Sequence, residues 1–353
     1  MSAACRRAFA LQFVTTVMLA PPRWWLLSVG LVIVSQAWAG PTVPKTAAAR
    51  TTGLLWREPT DISTRNLLNG PGGPDRRPKG RLTFVAEDLK ETRPKFVVTD
   101  EAGVRWKIKL GSEAQPEVAA TRLVWAVGYF ADENYFLPKV QVENLGPLRR
   151  GSEFVLPDGT VFGARIERAE RSATKGTWPW FHNPFDGTTE LNGLRVLMAL
   201  INNWDLLTDN NSIRDRQGVT GAYYVGDLGA TFGRVSGAWV STRNNAQDYA
   251  NSTFIRSVSS KTVDFTARTC SIVIPVLYIF PNYFWQCTQD NRVLERIPVA
   301  DAAWIAQWLS RLSPEQIADA FRAASYTPAE VTMLSSAVHE RIVALSGLPN
   351  GHK

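Results

Sequence analysis

The sequence predicts an α+β protein whose strands come early and whose helices come late. Three observations carry that expectation. Apolar and polar residues alternate with period two through much of 81–168. Leu194, Leu197, Met198 and Ile201 follow a 3.6-residue period, and Ser313 and Thr327 each open a capping signal ahead of an apolar helical stripe. A chain of 353 residues can bury a sizeable core as one large or two moderate domains. At 45% hydrophobic and 20% charged residues, with a net charge of +7, the composition lacks the basic extreme that points to nucleic acid.

The first segment reads as an export signal. Trp24 to Val34 form an apolar run preceded by Arg23 and followed by Ala37-Trp38-Ala39, an Ala-x-Ala cleavage pattern, so residues 1–39 are expected to be a signal peptide. The run is short for a bilayer span, and no integral membrane span is expected after cleavage; the destination is periplasmic or secreted. Arg6, Arg7 and Arg23 leave with the signal, which takes the net charge from +7 to +4. Cys5 leaves too, and the remaining even pair, Cys270 and Cys287, favours a disulfide in an exported chain. The histidines are His182, His339 and His352, too few and too scattered for a zinc site or a His-based triad. His182 lies in the aromatic stretch Trp178 to Phe185 and is expected to pack there.

Residues 40–80 carry Pro, Gly, Arg and Thr without periodicity and read as an extended N-terminal arm lying on the domain. Asn69-Gly70-Pro71-Gly72-Gly73-Pro74 lacks the Lys-Ser/Thr that a Walker loop needs. Strands follow at Arg81 to Val85, Lys95 to Thr99 and Val104 to Leu110, the last two joined by an Asp100-Glu101-Ala102-Gly103 turn. Alternation puts Val104, Trp106, Ile108 and Leu110 on one face and Arg105, Lys107 and Lys109 on the other. A helix enters through Gly111 to Glu117 and runs to about Val127; Tyr135 to Val142 and Val161 to Arg168 are further strands, the second a candidate hinge.

The Leu194 to Ile201 helix delivers a polar loop, Asn202 to Asn211, and the strand Ala222 to Val225 leads to Asp227-Leu228-Gly229. Acidic and amide groups at the ends of buried elements are costly without partners, and a metal ion or a phosphate-bearing ligand would supply them. Beyond them, 229–251 reads as a Gly-, Ser- and Asn-rich loop, and the apolar, twice proline-interrupted 271–285 as a strand pair stapled by the cysteines. The chain ends in helices bearing Ile305, Trp308 and Leu309, then Ile317 and Phe321, then Val331, Leu334, Val338 and Ile342.

Asp205 with Asn210 five residues on, a hairpin, and then Asp227-Leu228-Gly229 resembles the protein-kinase-like superfamily, in flavour the divergent HipA-like, phosphatidylinositol 3/4-kinase-like and secreted kinases. The resemblance implies a two-lobed fold: a small antiparallel-sheet lobe over 81–175 and a mainly helical lobe over 176–353. It implies ATP and Mg (or Mn) as cofactors, and an acceptor that is a protein or a small molecule. On it, Lys109 holds the nucleotide phosphates, Glu117 orients Lys109, Asp205 serves the acceptor hydroxyl, and Asn210 with Asp227 holds metal. Lys107 and Glu113 are the reserve pair, and Asn211 a second-choice ligand. Three departures stand out: Asn203-Trp204 where His-Arg is usual, Leu207 where a Lys is usual, and no Gly-x-Gly in the hairpin Glu87 to Pro94.

Those departures leave two other readings open. One is a pseudokinase acting as an envelope or extracellular interaction module. The other makes Asp205, Asp209, Asn210 and Asn211 a structural calcium loop, although no Gly stands at its sixth position.

Overall fold

Alternation along the early strands produces a five-stranded barrel, β1 (Leu82–Asp88), β2 (Lys95–Thr99), β3 (Arg105–Lys109), β4 (Asn134–Glu143) and β5 (Thr160–Arg168), in the order β1-β2-β3-β5-β4. All pairings are antiparallel except the closing one, where Leu82 and Thr83 run parallel to Val142 and Glu143. The computed structural model describes residues 53–90, 93–169, 174–216, 218–235, 241–270 and 281–349, with the backbone alone for 281–283. The proposed signal peptide lies outside them. All described residues belong to one compact unit, Ala49–Lys353.

The barrel has its own core. Phe96, Val98, Trp106, Ile108, Val161, Ala164 and Ile166 fill it, which is the inward half of the alternation. The β2–β3 turn is held by Asp100, whose carboxylate accepts from the Ala102 and Val104 amides and from Trp106 Nε1 at 2.9–3.0 Å. The outward half is a charged face. Register sets Lys95 opposite Lys109 and Lys109 opposite Arg165, and in the next row Lys107 opposite Glu167. Like charges directly across strands repel, so this face requires carboxylates from elsewhere.

Helix α1 (Ala114–Ala126) crosses between β3 and β4. Its Val118, Leu123 and Val124 join a second, larger core, while Glu113 and Glu117 meet the charged face of β3. That larger core gathers α2 (Thr189–Leu200), α3 (Ala246–Ala250), α5 (Val299–Leu309), α6 (Pro314–Arg322) and α7 (Pro328–Ser346), while no described side chain of α4 (Pro281–Arg292) belongs to it. Two three-stranded sheets complete the fold: β6 (Gly176–Thr177), β7 (Asn211–Arg216) and β8 (Val219–Val225) in sequence order, and β9 (Ile255–Val258), β10 (Thr262–Phe265) and β11 (Ile297–Pro298) with β10 central. Capping boxes at Ser313 and Thr327 start α6 and α7 as their sequences predict. Among the described residues no helix is long and apolar enough to cross a membrane.

The arm is part of the fold. Leu55, Ile62 and Leu67 are buried in the larger core, Leu54 bridges to Ala222, and Gln316 Nε2 donates to the carbonyls of Ile62 and Arg65 at 2.7 and 3.0 Å. Cys270 and Cys287 form a disulfide. One expectation is corrected: 281–285 opens α4 rather than forming a strand, while 271–280 lie outside the described residues. A short apolar, aromatic run suits either element, and its length alone does not separate them. His182 is corrected as well. It is exposed in the left-handed region (φ 63°), and its amide donates to Asp186 Oδ2 at 2.6 Å.

Candidate active site

The charged face of β3 finds its carboxylates on α1 and on the turn after β8. Lys109 is 1% exposed, and its Nζ lies 2.9 Å from Glu117 Oε2, 3.1 Å from Glu113 Oε2 and 2.5 Å from Asp227 Oδ1. Burial pushes the ammonium down, but Glu117, Asp227 and Glu113 outweigh it and hold Lys109 above its ordinary range. Burial likewise works to raise Asp227, and the Lys109 contact keeps it below the usual carboxylate range. Arg165, opposite Lys109, sets Nε 3.2 Å from Glu117 Oε2 and donates two bonds to Glu167. Two carboxylates thus flank a buried guanidinium, whose Nε makes no hydrogen bond among the described residues.

Asp227 is reached through unusual backbone. It takes φ 48°, in the left-handed region that costs a non-glycine residue energy, and the surroundings fix it there. Two residues on, Gly229 packs against Glu113: a Cβ on it would lie 2.5 Å from Glu113 Cβ. The turn and the start of α1 touch only because residue 229 has no side chain.

The polar loop after α2 is pinned from several sides. Asn202 (φ 53°) donates to the Gly233 carbonyl at 2.7 Å, and Arg341 on α7 donates to Asn202 Oδ1 and to the Leu200 carbonyl, both at 2.8 Å. Asn203 Oδ1 accepts from the Asp205 amide at 3.1 Å. Asn210 Nδ2 donates to the Asp205 carbonyl at 2.9 Å, and the Asn210 carbonyl accepts from Gly226 N–H at 3.1 Å, which joins this loop to the residue preceding Asp227. Burial, then the charges of Asp227 and Glu113, push the Asp205 carboxyl up; Arg268 and Asn210 oppose them.

Trp204 stands where the resemblance expects Arg. Its ring carries the guanidiniums of Arg243 and Arg268 at 4.5 and 5.0 Å from its centroid, so two cations stack beside Asp205 although Leu207 brings none.

A cavity of about 570 Å³ lies on the far side of Arg165, lined by that residue's partner Glu167 and not by Lys109, Glu117 or Asp227. Its wall includes Lys107, Glu167, Arg168 and Ala169 at the end of β5, with Asp132, Arg214 and Tyr224 facing them. Asp132 pairs with Arg214 at 2.6 Å, and its Oδ2 is within 3.4 Å of where a Cβ on Gly226 would stand.

The site therefore brings Lys109, Glu117 and Asp227 into contact and sets Asp205 and Asn210 on the adjoining loop. Lys107 is not paired with Glu113; it lines the cavity beside Glu167. Asn211 lies elsewhere. It is 1% exposed and its amide donates to the Trp178 carbonyl at 3.1 Å, so it fastens β7 to the segment entering α2. Asp209 is exposed, and Asn211, engaged at Trp178, is withdrawn from the four side chains of a calcium loop. Sequence reasoning missed Arg93, Arg165, Arg243 and Arg268. Only Arg165 left a trace, on the outward phase of β5 beside Ala164 and Ile166.

No protein-family model matches the chain, and no curated protein matches it. Among solved structures it is similar to the proinflammatory kinase CtkA of Helicobacter pylori, at 9% identity and a TM-score of 0.40, over 76% of this chain and 97% of that one. It is also similar to the Golgi casein kinase, at 11% identity and a TM-score of 0.31, over 76% of this chain and 75% of that one.

Proposed function

We propose that this chain is an exported, kinase-like phosphotransferase that binds ATP with a divalent cation between the β3 face, α1 and the Asp227 turn. One observation carries the reading. Buried Lys109 contacts Glu117, eight residues away, and Asp227, 118 residues away, so strand, helix and turn meet on one ammonium. A charged ammonium suits phosphate oxygens, and the cavity lined by Lys107, two residues back on the same strand, has room for base and ribose. Asp205, with its carboxyl raised, receives the proton of an acceptor hydroxyl.

The donor chemistry fits magnesium or manganese. Asp227 and Asn210 offer one carboxylate and one amide oxygen on adjoining loops, and such hard cations bind through one or two protein oxygens, with phosphates and water completing the shell. When bound, the cation supplies charge neutralisation on the transferring phosphate. The Cys270–Cys287 disulfide supports an oxidising destination, periplasmic or secreted.

The test is a thermal-shift titration of residues 40–353 with ATP and with magnesium, separately and together, on the wild type and on Asp227→Ala. A stabilisation that needs both ligands and vanishes in the variant is expected. Unchanged magnesium-ATP affinity in Asp227→Ala overturns the assignment. Leu207 and the hairpin without Gly-x-Gly favour a second reading, a pseudokinase that uses the same site for binding and interaction. Phosphate transfer from ATP that depends on Asp205 rules that reading out.

A further inference from the structure

Glu113 gathers two guanidiniums and shares a third cation, Lys109, with Glu117 and Asp227. Its Oε1 lies 2.6 Å from Arg93 Nη2 and also contacts Arg243 Nη1, while its Oε2 lies 3.1 Å from Lys109 Nζ. The three cations come from distant parts of the chain: the β1–β2 connection, β3, and the stretch beyond the Asp-Leu-Gly turn. Glu113 is 6% exposed and Lys109 1%, while the two guanidiniums reach Glu113 from the solvent side. Two guanidiniums on one buried carboxylate, with the shared ammonium beside them, make a cluster suited to a polyanion. Guanidiniums present several donors in a planar fork and match phosphate oxygens better than they share one carboxylate oxygen.

We propose that Arg93, Lys109 and Arg243 form a polyphosphate cradle, and that Glu113 occupies it as an internal competitor which an arriving triphosphate displaces. The idea rests on the nucleotide reading for the identity of the natural ligand, but the cradle is built for the phosphate chain itself. Arg93 supplies by side chain what a glycine-rich hairpin would supply by backbone amides, which gives the missing Gly-x-Gly a replacement. Because Gly229 leaves room for Glu113 at this position, competitor and cradle are fitted to one another.

Inorganic tripolyphosphate is the probe, titrated calorimetrically into the 40–353 chain without metal. Glu113→Gln keeps the shape and removes the charge, and it is expected to tighten tripolyphosphate binding about tenfold or more. Arg93→Gln, at a side chain 42% exposed and so tolerant of change, is expected to weaken it by a similar factor. Unchanged or weaker binding in a folded Glu113→Gln chain overturns the proposal. If that variant does not fold, Arg93→Gln decides alone: tenfold weaker binding upholds the cradle and unchanged binding overturns it. Magnesium-ATP measured in parallel separates the two readings. Asp227-dependent ATP binding with no Glu113→Gln effect sinks the cradle alone; the tripolyphosphate pattern without any ATP binding leaves the cradle standing and sinks the nucleotide reading.

Discussion

Arg341 on α7 donates from Nη1 to Asn202 Oδ1 at 2.8 Å, 139 residues away in sequence. The same guanidinium donates to the Leu200 and Tyr249 carbonyls and to Ser252 Oγ, and stacks 3.9 Å from the Tyr249 ring centroid. It fixes the exit of α2, where the Asp205 loop begins. Arg341→Met keeps the stem and strands these buried acceptors, and we expect a loss of about 3 kcal/mol in urea unfolding. A loss under about 1 kcal/mol would show that the network is not a stabilising anchor.

Gly229→Ala places a methyl against the Glu113 backbone and side chain, which must shift. The expected result is a destabilisation of about 1–2 kcal/mol together with at least tenfold weaker magnesium-ATP binding. Binding equal to wild type would mean that the turn and α1 tolerate separation.

Asp290 on α4 is 8% exposed, and burial pushes its carboxyl up to about 7, with Arg268 opposing and Asp205 adding to the rise. The unfolded chain ionises this group near pH 4 and the folded chain only near pH 7, so between those values the folded state holds the extra proton. Stability from this group is therefore present at low pH and falls as pH rises through that window. Asp290→Asn should flatten this slope and stabilise the protein at pH 8 by about 1–2 kcal/mol, with little change at pH 4, measured by urea unfolding at both values. A variant with the wild-type slope refutes the assignment.

The disulfide braces the same corner. Asn291, four residues after Cys287, donates to the Arg268 carbonyl at 2.7 Å and accepts from the Arg268 amide at 3.1 Å, so the cross-link holds α4 against the segment after β10 that carries Arg268. Cys270→Ser with Cys287→Ser is expected to lose about 2–4 kcal/mol. Wild type under dithiothreitol should match the variant, and the variant should not respond to the reductant.

The parts legible in the sequence were those that local chemistry dictates. Trp106 and Ile108 announced the barrel interior, Ser313 and Thr327 the helix starts, and the spacing of Asp205, Asn210 and Asp227 a shared locality. Lys109 was harder, because a lysine alternating with apolar residues normally faces water; only α1 and the Asp227 turn, folded over it, make it buried. Arg165 depends on register, which periodicity along one strand does not contain. Arg93 and Arg243 became visible only when three separate segments met at Glu113. For 281–285, the prolines and the cysteine pair suggested strands, and Pro281 instead stands at the start of a helix, where a missing N–H is tolerated.

The docking of the arm bears on how the molecule reaches its native state. Gln316 binds the arm at Ile62 and Arg65 across separations of 254 and 251 residues, and Leu54 meets Ala222. These are among the most non-local contacts in the chain, and closing such loops is entropically expensive before any contact rewards it. The arm can first lodge against the end of α1, where Trp56 Nε1 donates to the Val127 carbonyl, and completes its contacts only when α6 is in place. The arm is then a clasp that closes in two stages, its Gln316 latch the later by loop-closure entropy.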